Sequence, residues 1–295
     1  MEDRAHAQSY TSAAARAAPR ASTLRAPYDN VRAGRVTPLE TILSGRYFRQ
    51  RVYPFPHIVG EDVLAPGVYR DVEEAFRAAL GAGLSETPGD GRFARTVPGY
   101  GAYVKPLLRD ETGPLALFVS RAWHDMVAAL WDIEATLDMD AALHHHPVGS
   151  GDGWVHNDLN PGWFVDRPRA DGVNVSDPAL CDYQHGGAAG DSGRPRETVR
   201  AAALLFYLAN DPWSPGDGGE TGLYSSGRSP VSSPAAVVPP INNSLLCFAC
   251  TPYSYHAFLR NKQSPRNSVI LWIHVPAERA AERHGARSIE RWPLR

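Results

Sequence analysis

Apolar residues in the first half of the chain recur at the spacing of a helix with one buried face. The first such stripe consists of Val72, Ala75, Phe76, Ala79 and Leu80. Pro66 precedes this stripe, and proline is favoured at the first position of a helix. A second stripe runs through residues 114–137, PLALFVSRAWHDMVAALWDIEATL. We therefore predict two amphipathic helices in this part of the chain.

The pattern changes from about residue 140 onward. Clusters of Gly, Pro, Asn and Asp separate short apolar or alternating runs, which are AALHHHPV, GWVHND, TVRAAALLFYLAN, ETGLYSS, AAVVPP, SLLCFAC, YHAFL and NSVILWIHV. Roughly eight short strands of this kind are typical of a jelly roll or barrel. The expected fold class is mainly β with supporting helices (α+β). We expect a jelly-roll core at about residues 141–276 and helical support at about residues 62–140.

The first 36 residues differ in composition from this globular part. They are rich in Ala, Arg and Ser and contain almost no large apolar side chains, so they cannot bury enough surface to offset their ordering entropy. We expect a disordered arm at residues 1–36 and a single domain at residues 37–295. The composition also resembles an organelle transit peptide. Since the same bias runs through the whole chain, a flexible end is the favoured interpretation.

Overall composition excludes several classes of protein. The 295 residues are 43% hydrophobic, which suits a packed core, and 30 basic residues nearly balance 32 acidic ones. A formal net charge of -2 gives no reason to expect a nucleic-acid partner. No apolar run is long enough for a membrane helix, and we find no secretory signal. We therefore expect a cytoplasmic protein without a membrane or nucleic-acid partner; the sequence leaves its oligomeric state open.

The cysteines give no disulfide framework. Cys181, Cys247 and Cys250 are an odd number, which fits a reducing compartment. Cys247 and Cys250 form a C-x-x-C, but they lie in an apparent strand, where positions three apart point to opposite faces. No second Cys or Cys/His pair stands at zinc-finger spacing, so a redox or zinc role is not expected.

The chemistry suggested by the sequence centres on His156 and Asp158, in the stretch WVHNDLNPGWF. In a strand, positions two apart point to the same face, so an imidazole and a carboxylate can aim at one point. An H-x-D pair alone is common by chance, and a metal site needs a third ligand. His256 stands in another apparent strand, TPYSYHAFL. Two imidazoles and one carboxylate form the facial triad of non-haem Fe(II) oxygenases.

A possible carboxylate clamp follows ten positions after His256. Arg266 and Ser268 lie two positions apart in the apparent strand SPRNSVILWIHV, so they are expected to share a face. A guanidinium together with a hydroxyl is well suited to bind the far carboxylate of a small diacid.

Taken in order, these motifs resemble a known family. H-x-D, a W...GGE turn in the segment TVRAAALLFYLANDPWSPGDGGETGLY, a distant His and then R-x-S are similar to the Fe(II)/2-oxoglutarate-dependent oxygenases of the prolyl 4-hydroxylase-like branch. INNSLLCFACTPYSYHAF and RNSVILWIH resemble the last two core strands of that branch, whose core is a double-stranded β-helix. YPFPHIVGEDVL resembles its usual opening segment. The resemblance covers about residues 50–276 and is strongest after residue 150.

The resemblance implies an activity and the residues that carry it. His156, Asp158 and His256 would be the catalytic residues that bind Fe(II), and 2-oxoglutarate would chelate the metal. Arg266 would bind the far carboxylate of 2-oxoglutarate, assisted by Ser268 or a tyrosine such as Tyr103. The reaction would consume O2, release succinate and CO2, and hydroxylate an aliphatic C–H bond. Related halogenases have a small residue in place of the carboxylate, so Asp158 favours hydroxylation; desaturation or cyclisation by the same enzyme class stays open.

The substrate is expected to be a small molecule, such as a free amino acid or an amino-acid-derived metabolite, because no recognition domain or basic face is evident. A peptidyl-proline hydroxylase and a catalytically silent jelly-roll binding protein are the alternatives. Candidate substrate contacts near the expected barrel mouth are Trp163, His185 and Arg194. Residues 182–197 are expected to form a polar, Gly-rich loop, either a lid or a disordered insertion.

Other polar and aromatic residues receive less specific interpretations. The run HHH at residues 144–146 lacks a carboxylate at matching spacing, so these histidines are expected to line the barrel mouth and not to bind metal. Trp213 and Trp272 are expected in the hydrophobic core.

Overall fold

The computed structural model describes residues 22–23, 39–45, 47–95, 101–190 and 193–292. Of the arm expected at residues 1–36, only Ser22–Thr23 belongs to this part; the remainder lies outside the described residues. Within the described ranges, no helix is both long enough and apolar enough to pass through a lipid bilayer.

Most of the regular structure is β. The strands are β1 (Ser22–Thr23), β2 (Tyr47–Arg51), β3 (His57–Gly60), β4 (Leu84–Ser85), β5 (Phe93–Arg95), β6 (Tyr103–Pro106), β7 (Asp138–His146), β8 (Pro161–Phe164), β9 (Asn174–Val175), β10 (Arg196–Tyr207), β11 (Thr221–Tyr224), β12 (Ala236–Val238), β13 (Ser244–Ala249), β14 (Tyr255–Phe258) and β15 (Arg266–Pro276). The helices are α1 (Leu39–Ile42), α2 (Pro66–Gly81), α3 (Arg121–Leu130) and α4 (Ala277–His284), with 3-10 turns at Pro114–Val119 and Ala286–Ser288.

The first predicted helix is confirmed, and the second is interrupted. Helix α2 begins at Pro66 and buries Val72 and Phe76. The stripe at residues 114–137 forms a 3-10 turn followed by α3, because the backbone of Ser120 between them is extended. The Ser120 hydroxyl accepts a hydrogen bond from the Trp123 backbone amide, which caps α3. Apolar spacing alone does not reveal this break, because both pieces bury the same side.

Two sheets, in which most strand pairs are antiparallel, form the jelly roll. The larger, 12-stranded sheet has the order β1-β2-β3-β13-β10-β15-β7-β6-β5-β4, with β8 paired to β10 and β9 paired to β7. The smaller, 3-stranded sheet has the order β12-β11-β14. Strands β4 to β6 also belong to the larger sheet, so part of the region expected as helical support supplies strands. Helices α2 and α3 pack on its outer face.

Alternating residues of the central strands fill two separate apolar regions. On β10, Leu204 and Phe206 pack in the outer cluster against the helices, whereas Leu205 and Tyr207 pack in the inner cluster between the sheets. The alternation is interrupted once within β10, where the pairing register with β15 shifts between Arg200 and Ala202. Such a bulge reverses the face toward which the preceding residues point.

The chain between the H-x-D pair and β10 forms a long excursion that we call the insertion, residues 159–195. Its strands attach it to the larger sheet, because β8 pairs with β10 and β9 with β7. The polar loop expected at residues 182–197 belongs largely to this insertion, although β10 already begins at Arg196. Residues 191–192 lie outside the described part.

All three cysteines are buried free thiols. Cys247 packs in the outer cluster and Cys250 in the inner one. The two thiols therefore point to opposite faces, as the strand interpretation predicts.

Candidate active site

The H-x-D pair does not lie on a regular strand, in contrast to our expectation. The chain from Trp154 to Asn160 is irregular, and His156 makes only an isolated antiparallel bridge to His256 on β14. Two backbone hydrogen bonds of 3.1 and 2.8 Å form this bridge. This single bridge places the two histidines side by side, so a regular strand is not needed to bring them together.

His156, Asp158 and His256 nevertheless converge. One potential ligand atom from each lies within 4.8 Å of the others. His156 Nε2 is 3.8 Å from Asp158 Oδ1, and His256 Nε2 is 3.4 Å from Asp158 Oδ2. The two imidazole rings are tilted, with centroids 4.4 Å apart.

Backbone carbonyls set the orientation of both imidazoles. His156 Nδ1 lies 2.8 Å from the Trp154 carbonyl, and His256 Nδ1 lies 3.1 Å from the Ser254 carbonyl. A carbonyl only accepts, so each Nδ1 carries a proton, and Nε2 is the ring nitrogen directed toward Asp158. This arrangement prepares Nε2 for metal binding, because the hydrogen bond at one ring nitrogen fixes the other as the ligand.

Burial and neighbouring charges favour the protonation states that a metal requires. Burial and the adjacent His256 lower the pKa of His156 to about 4, which leaves its imidazole neutral at pH 7. Burial alone would raise the pKa of Asp158, but His256, Arg200 and His156 together hold it well below its usual range. A neutral His156 imidazole and an ionised Asp158 carboxylate are thus available as ligands.

Two further side chains contact the carboxylate. Trp272 Nε1 donates to Asp158 Oδ2 over 2.8 Å, and Arg200 Nη1 donates to Oδ1 over 3.1 Å. Trp272 packs against the inner cluster, as expected of a core residue, and its indole has this second, polar contact as well. Because β15 alternates its faces, Trp272 shares the inner face with Arg266 and Ser268. Trp213 is half-buried and donates from its indole to the Gly218 carbonyl.

Arg266 and Ser268 face the interior of the jelly roll, on the same side of β15, as predicted. Arg266 is 2% exposed, and among the described residues no carboxylate lies within salt-bridge distance of its guanidinium. Its Nη2 donates to Thr221 Oγ1 over 3.3 Å, while its Nε and the Ser268 hydroxyl find no hydrogen-bond partner in the described part of the chain. A buried guanidinium with unused donors fits an anionic ligand, because burying an uncompensated charge is costly.

The surroundings of Arg266 connect it to the histidine pair. Its guanidinium carbon lies 5.2 Å from the ring centroid of Tyr207 and 5.6 Å from that of Phe258. Phe258 stands two residues after His256 on β14. Since positions two apart on a strand share a face, Phe258 and His256 point the same way, so Arg266 lies on the side of β14 that carries the histidine.

The Gly-Gly turn near Arg266 has a steric reason. Gly218 adopts a positive φ of 80°, and an added Cβ would lie 2.0 Å from the Arg260 carbonyl oxygen. At Gly219, a Cβ would contact the Arg266 side chain itself. Only glycine lets this turn close against the strand that carries Arg266.

Two of the consecutive histidines line the same interior, as the sequence suggested. Register pairs His144 with Ser268 and His146 with Arg266. The His146 ring stacks on Phe258 with a centroid distance of 3.9 Å. Burial, with the nearby Arg266 as the next cause, lowers the pKa of His144 to about 3, so it is neutral at pH 7. His145 points to the outer face and contacts Asn267.

The donor set fits the groups that the sequence resemblance implies. Two imidazole nitrogens and one carboxylate oxygen are ligands that a non-haem Fe(II) centre takes. The buried Arg266 guanidinium and Ser268 hydroxyl suit one carboxylate of a diacid. When bound, iron with 2-oxoglutarate and O2 supplies the oxidising chemistry, and the protein orients the reactants.

Comparison with known proteins supports the family that the sequence resembles. Residues 180–274, which contain His256, Arg266 and Ser268, match the model of the 2OG-Fe(II) oxygenase superfamily. This match covers about a third of the chain, and together with the cluster of His156, Asp158 and His256 it supports a 2-oxoglutarate/Fe(II)-dependent oxygenase. Members of that superfamily use Fe(II), 2-oxoglutarate and O2. No curated protein matches the oxygenase at a significant level.

Solved structures are similar to this chain. A prolyl hydroxylase from Trichoplax adhaerens, in complex with a peptide fragment of hypoxia inducible factor, has a TM-score of 0.50 at 15% identity, with 79% of this chain and 87% of that chain covered. A Pseudomonas putida prolyl-4-hydroxylase has a TM-score of 0.48 at 15% identity, over 74% and 92% of the two chains. The Trichoplax likeness places the oxygenase among prolyl 4-hydroxylase-like folds.

Tyr103 does not lie beside Arg266. On β6 it pairs with His145, so its side chain points to the outer face of the sheet, away from Arg266 on the inner face. Its hydroxyl donates to Glu86 and accepts from Arg95. The expected contact between Tyr103 and 2-oxoglutarate is therefore wrong, because strand alternation puts the sheet between them.

The three proposed substrate contacts also lie apart from the histidine pair. On β8, Gly162 faces His274 and Tyr183, so the adjacent Trp163 points the other way and packs on Gly186. His185 Nδ1 lies 3.1 Å from Asp182 Oδ2, and Arg194 is exposed. All three positions belong to the insertion, and their contact with a substrate stays a prediction.

Arg200 and Asp140 are polar groups that the sequence analysis missed. Arg200 Nη2 lies 3.6 Å from Asp140 Oδ2, and Ser176 donates to Asp140 Oδ1 over 2.5 Å. One signal in the sequence was available: an arginine interrupts the apolar run TVRAAALLFY. A charge within such a run is informative because charged groups are rarely buried without partners.

Proposed function

We propose that this oxygenase hydroxylates an aliphatic C–H bond of a small molecule, a free amino acid or an amino-acid-derived metabolite. His156, Asp158 and His256 bind Fe(II), and Arg266 with Ser268 binds the far carboxylate of 2-oxoglutarate. Each turnover inserts one oxygen atom of O2 into the substrate C–H bond, and the other enters succinate as 2-oxoglutarate loses CO2.

The observation that carries this proposal is the state of Arg266. A guanidinium that is 2% exposed, with no carboxylate within salt-bridge distance among the described residues, is stabilised by an anion that enters the jelly roll. The unused Nε donor and the Ser268 hydroxyl give that anion two further hydrogen bonds. A dicarboxylate that binds Arg266 through one carboxylate and reaches the His156 and His256 pair with its other end makes use of both parts of the site.

Charged groups on the inner wall support a small polar substrate. Asp140 pairs across the strands with Trp272, whose indole contacts Asp158. The Asp140 side chain is 20% exposed, compared with 5% for Asp158. An accessible carboxylate in a largely enclosed space suits a substrate ammonium group, such as that of an amino acid.

The insertion supports the same substrate class. The Tyr183 hydroxyl from the insertion accepts a hydrogen bond from Arg200, and the Trp292 ring lies 5.0 Å from the Arg200 guanidinium carbon. These two segments cover the wall beside Asp158 and leave less room for an extended polypeptide.

Peptide hydroxylation is a second candidate. Trp154, which is 54% exposed, lies beside His156 with ring centroids 5.7 Å apart, so an aromatic surface extends outward from the histidine pair. The Trichoplax structure named above holds a peptide fragment. A large substrate that lies across Trp154 would use this surface.

Anaerobic titration of the full chain with Fe(II) and 2-oxoglutarate tests the shared part of both candidates. We expect the weak visible charge-transfer band of the chelated complex, and its loss in Asp158→Ala. A folded wild-type protein that gives no such band would contradict the metal assignment and favour a silent binding protein.

Succinate release then separates the two candidates. Stimulation by free amino acids, but not by their N-acetylated forms, supports the small-molecule proposal. Stimulation by proline-containing peptides alone would replace it with peptide hydroxylation.

A further inference from the structure

Arg200 is a buried cation that the proposed chemistry does not use directly. We propose that Arg200 is a positioning residue, which holds the Asp158 carboxylate in its orientation toward His156 and His256, and that the insertion in turn holds Arg200 through Tyr183. This inference rests on the proposed role of Asp158 as a metal ligand.

A bulge directs Arg200 to this position. Along β10, Ala202 and Leu204 point to the outer cluster, and strict alternation would send Arg200 the same way. The register shift between Arg200 and Ala202 reverses the face, so Arg200 pairs with His274, on the inner face of β15. Bulges often re-aim a side chain next to an active site. Here the bulge places a guanidinium beside Asp158.

Polar partners hold each nitrogen of the guanidinium. Nε donates to the Tyr183 hydroxyl over 2.9 Å and Nη1 donates to Asp158 Oδ1 over 3.1 Å. Nη2 lies 3.6 Å from Asp140 Oδ2. Because the guanidinium is planar, contacts in three directions fix its rotation as well as its position.

Aromatic rings cover the plane of the guanidinium. Its central carbon lies 3.7 Å from the Trp272 ring centroid and 5.0 Å from that of Trp292. The Arg200 side chain is only 6% exposed. A donor that is fixed and shielded in this way restrains the carboxylate more strongly than an exposed arginine would.

The hydrogen bonds beyond Tyr183 have only one possible direction. Arginine only donates, so the Tyr183 hydroxyl accepts from Arg200 and gives its own proton to His274 Nε2, 3.1 Å away. His274 Nδ1 must then carry a proton, which it donates to Thr198 Oγ1 over 3.0 Å. Thr198 donates to the Gly162 carbonyl over 3.1 Å.

This relay links the insertion to the proposed metal ligand. It begins at Asp158 and ends at the backbone of Gly162, and Tyr183 within it also comes from the insertion. Every hydroxyl and ring nitrogen of the relay has a partner, so no alternative arrangement of the protons satisfies the chain equally well. Groups that orient a metal ligand typically change metal affinity about 10- to 100-fold when they are removed.

The test compares the full-length wild type with Arg200→Met, Arg200→Lys and Tyr183→Phe. The matched control is Arg196→Met, four residues earlier on β10, which removes a 2.7 Å ion pair with Asp138 instead of one with Asp158. Co(II) alone serves as the probe, because its visible spectrum reports the geometry of its ligands. Urea unfolding measures stability separately.

We expect Arg200→Met to raise the Kd for Co(II) about 10- to 100-fold and to change the spectrum of the bound ion. Arg200→Lys restores part of the affinity, and Tyr183→Phe shows a smaller change in the same direction. Arg196→Met lowers stability without changing the spectrum. Folded Arg200→Met with wild-type affinity and spectrum would overturn the inference.

Two other outcomes are equally decisive. If Arg200→Met does not fold, Tyr183→Phe becomes the deciding variant, because it leaves the Arg200 charge and its contact with Asp158 in place. An unchanged Kd for Co(II) and an unchanged spectrum in Tyr183→Phe would then refute the relay. Wild-type protein that binds no Co(II) would contradict the metal assignment itself, which separates that failure from failure of the positioning role.

Discussion

The indole Nε1 of Trp272 donates a hydrogen bond of 2.8 Å to Oδ2 of Asp158. A residue that fills the inner face of β15 therefore also orients the proposed metal ligand. This bond and the one from Arg200 reach different oxygens of the carboxylate, so the group is held at both ends.

Trp272→Phe keeps most of the ring and removes only the indole donor. We expect the Kd for Fe(II) to rise about tenfold, because an outer partner of a ligand is lost. Isothermal titration under anaerobic conditions measures this. Trp123→Phe is the control: the buried Trp123 Nε1 has no hydrogen-bond partner in the described part of the chain. Equal metal affinity in Trp272→Phe and wild type would refute the prediction.

Arg266→Met removes the guanidinium that we assign to the far carboxylate of 2-oxoglutarate. Truncating one partner of a buried charge pair costs about 2 to 5 kcal/mol, so the Kd for 2-oxoglutarate should rise at least about 30-fold while Fe(II) binding stays the same. Titration of the charge-transfer band measures both. Arg260→Met, which removes a surface ion pair with Asp152, should have no effect. Unchanged co-substrate affinity in Arg266→Met would refute the assignment.

Asp140→Asn tests the proposed ammonium contact. The amide keeps the size of the side chain but loses the negative charge, so KM for an amino-acid substrate should rise about tenfold or more. The Kd for 2-oxoglutarate should stay the same, because that ligand binds toward Arg266. The control is Asp166→Asn, because the Asp166 side chain is 85% exposed, whereas the Asp138 side chain is buried in its ion pair with Arg196. A change in 2-oxoglutarate affinity without a change in KM would contradict the contact.

His274 makes the stability of the metal-free protein depend on pH. Burial and the nearby Arg200 lower its pKa to about 3, below the value of about 6.5 in the unfolded chain. Between these values the unfolded state binds a proton that the folded state does not, so stability falls as pH falls. This histidine contributes about 1.4 kcal/mol per pH unit to that slope.

Urea unfolding at several values between pH 7 and pH 4 measures the slope. His274→Gln should reduce it by about one proton, whatever its effect on stability at pH 7. His185→Gln, at the 3.1 Å pair with Asp182 on the insertion, is the comparison variant. Identical slopes in His274→Gln and wild type would show that His274 titrates normally in the folded protein.

Local patterns predicted much of the fold because burial imposes them. The stripe after Pro66 became α2, and alternation on β15 placed Arg266 and Ser268 on one face. The same reasoning failed at Ser120, where a capping hydroxyl divides one apolar stripe into two elements. It also failed at His156, where a single bridge to His256 replaces a strand.

Tyr103 and Arg200 show a different limit. The sequence suggested Tyr103 as a contact of 2-oxoglutarate. The register with the neighbouring strand decides which side chains of a strand point inward, and β6 pairs with β7 so that Tyr103 points outward. Arg200 is the opposite case. Strict alternation would direct it outward, and the bulge in β10 turns it toward Asp158.

The sequence by itself determined which ligand types are present, their order along the chain and the alternation that makes a jelly roll, because these depend on residue identity and short-range periodicity. Only the tertiary structure decided which groups surround Asp158. Trp272, Arg200 and Tyr183 come from three separate segments, and their approach depends on strand register, one bulge and the path of the insertion. Those features follow from long-range packing, which no local pattern encodes.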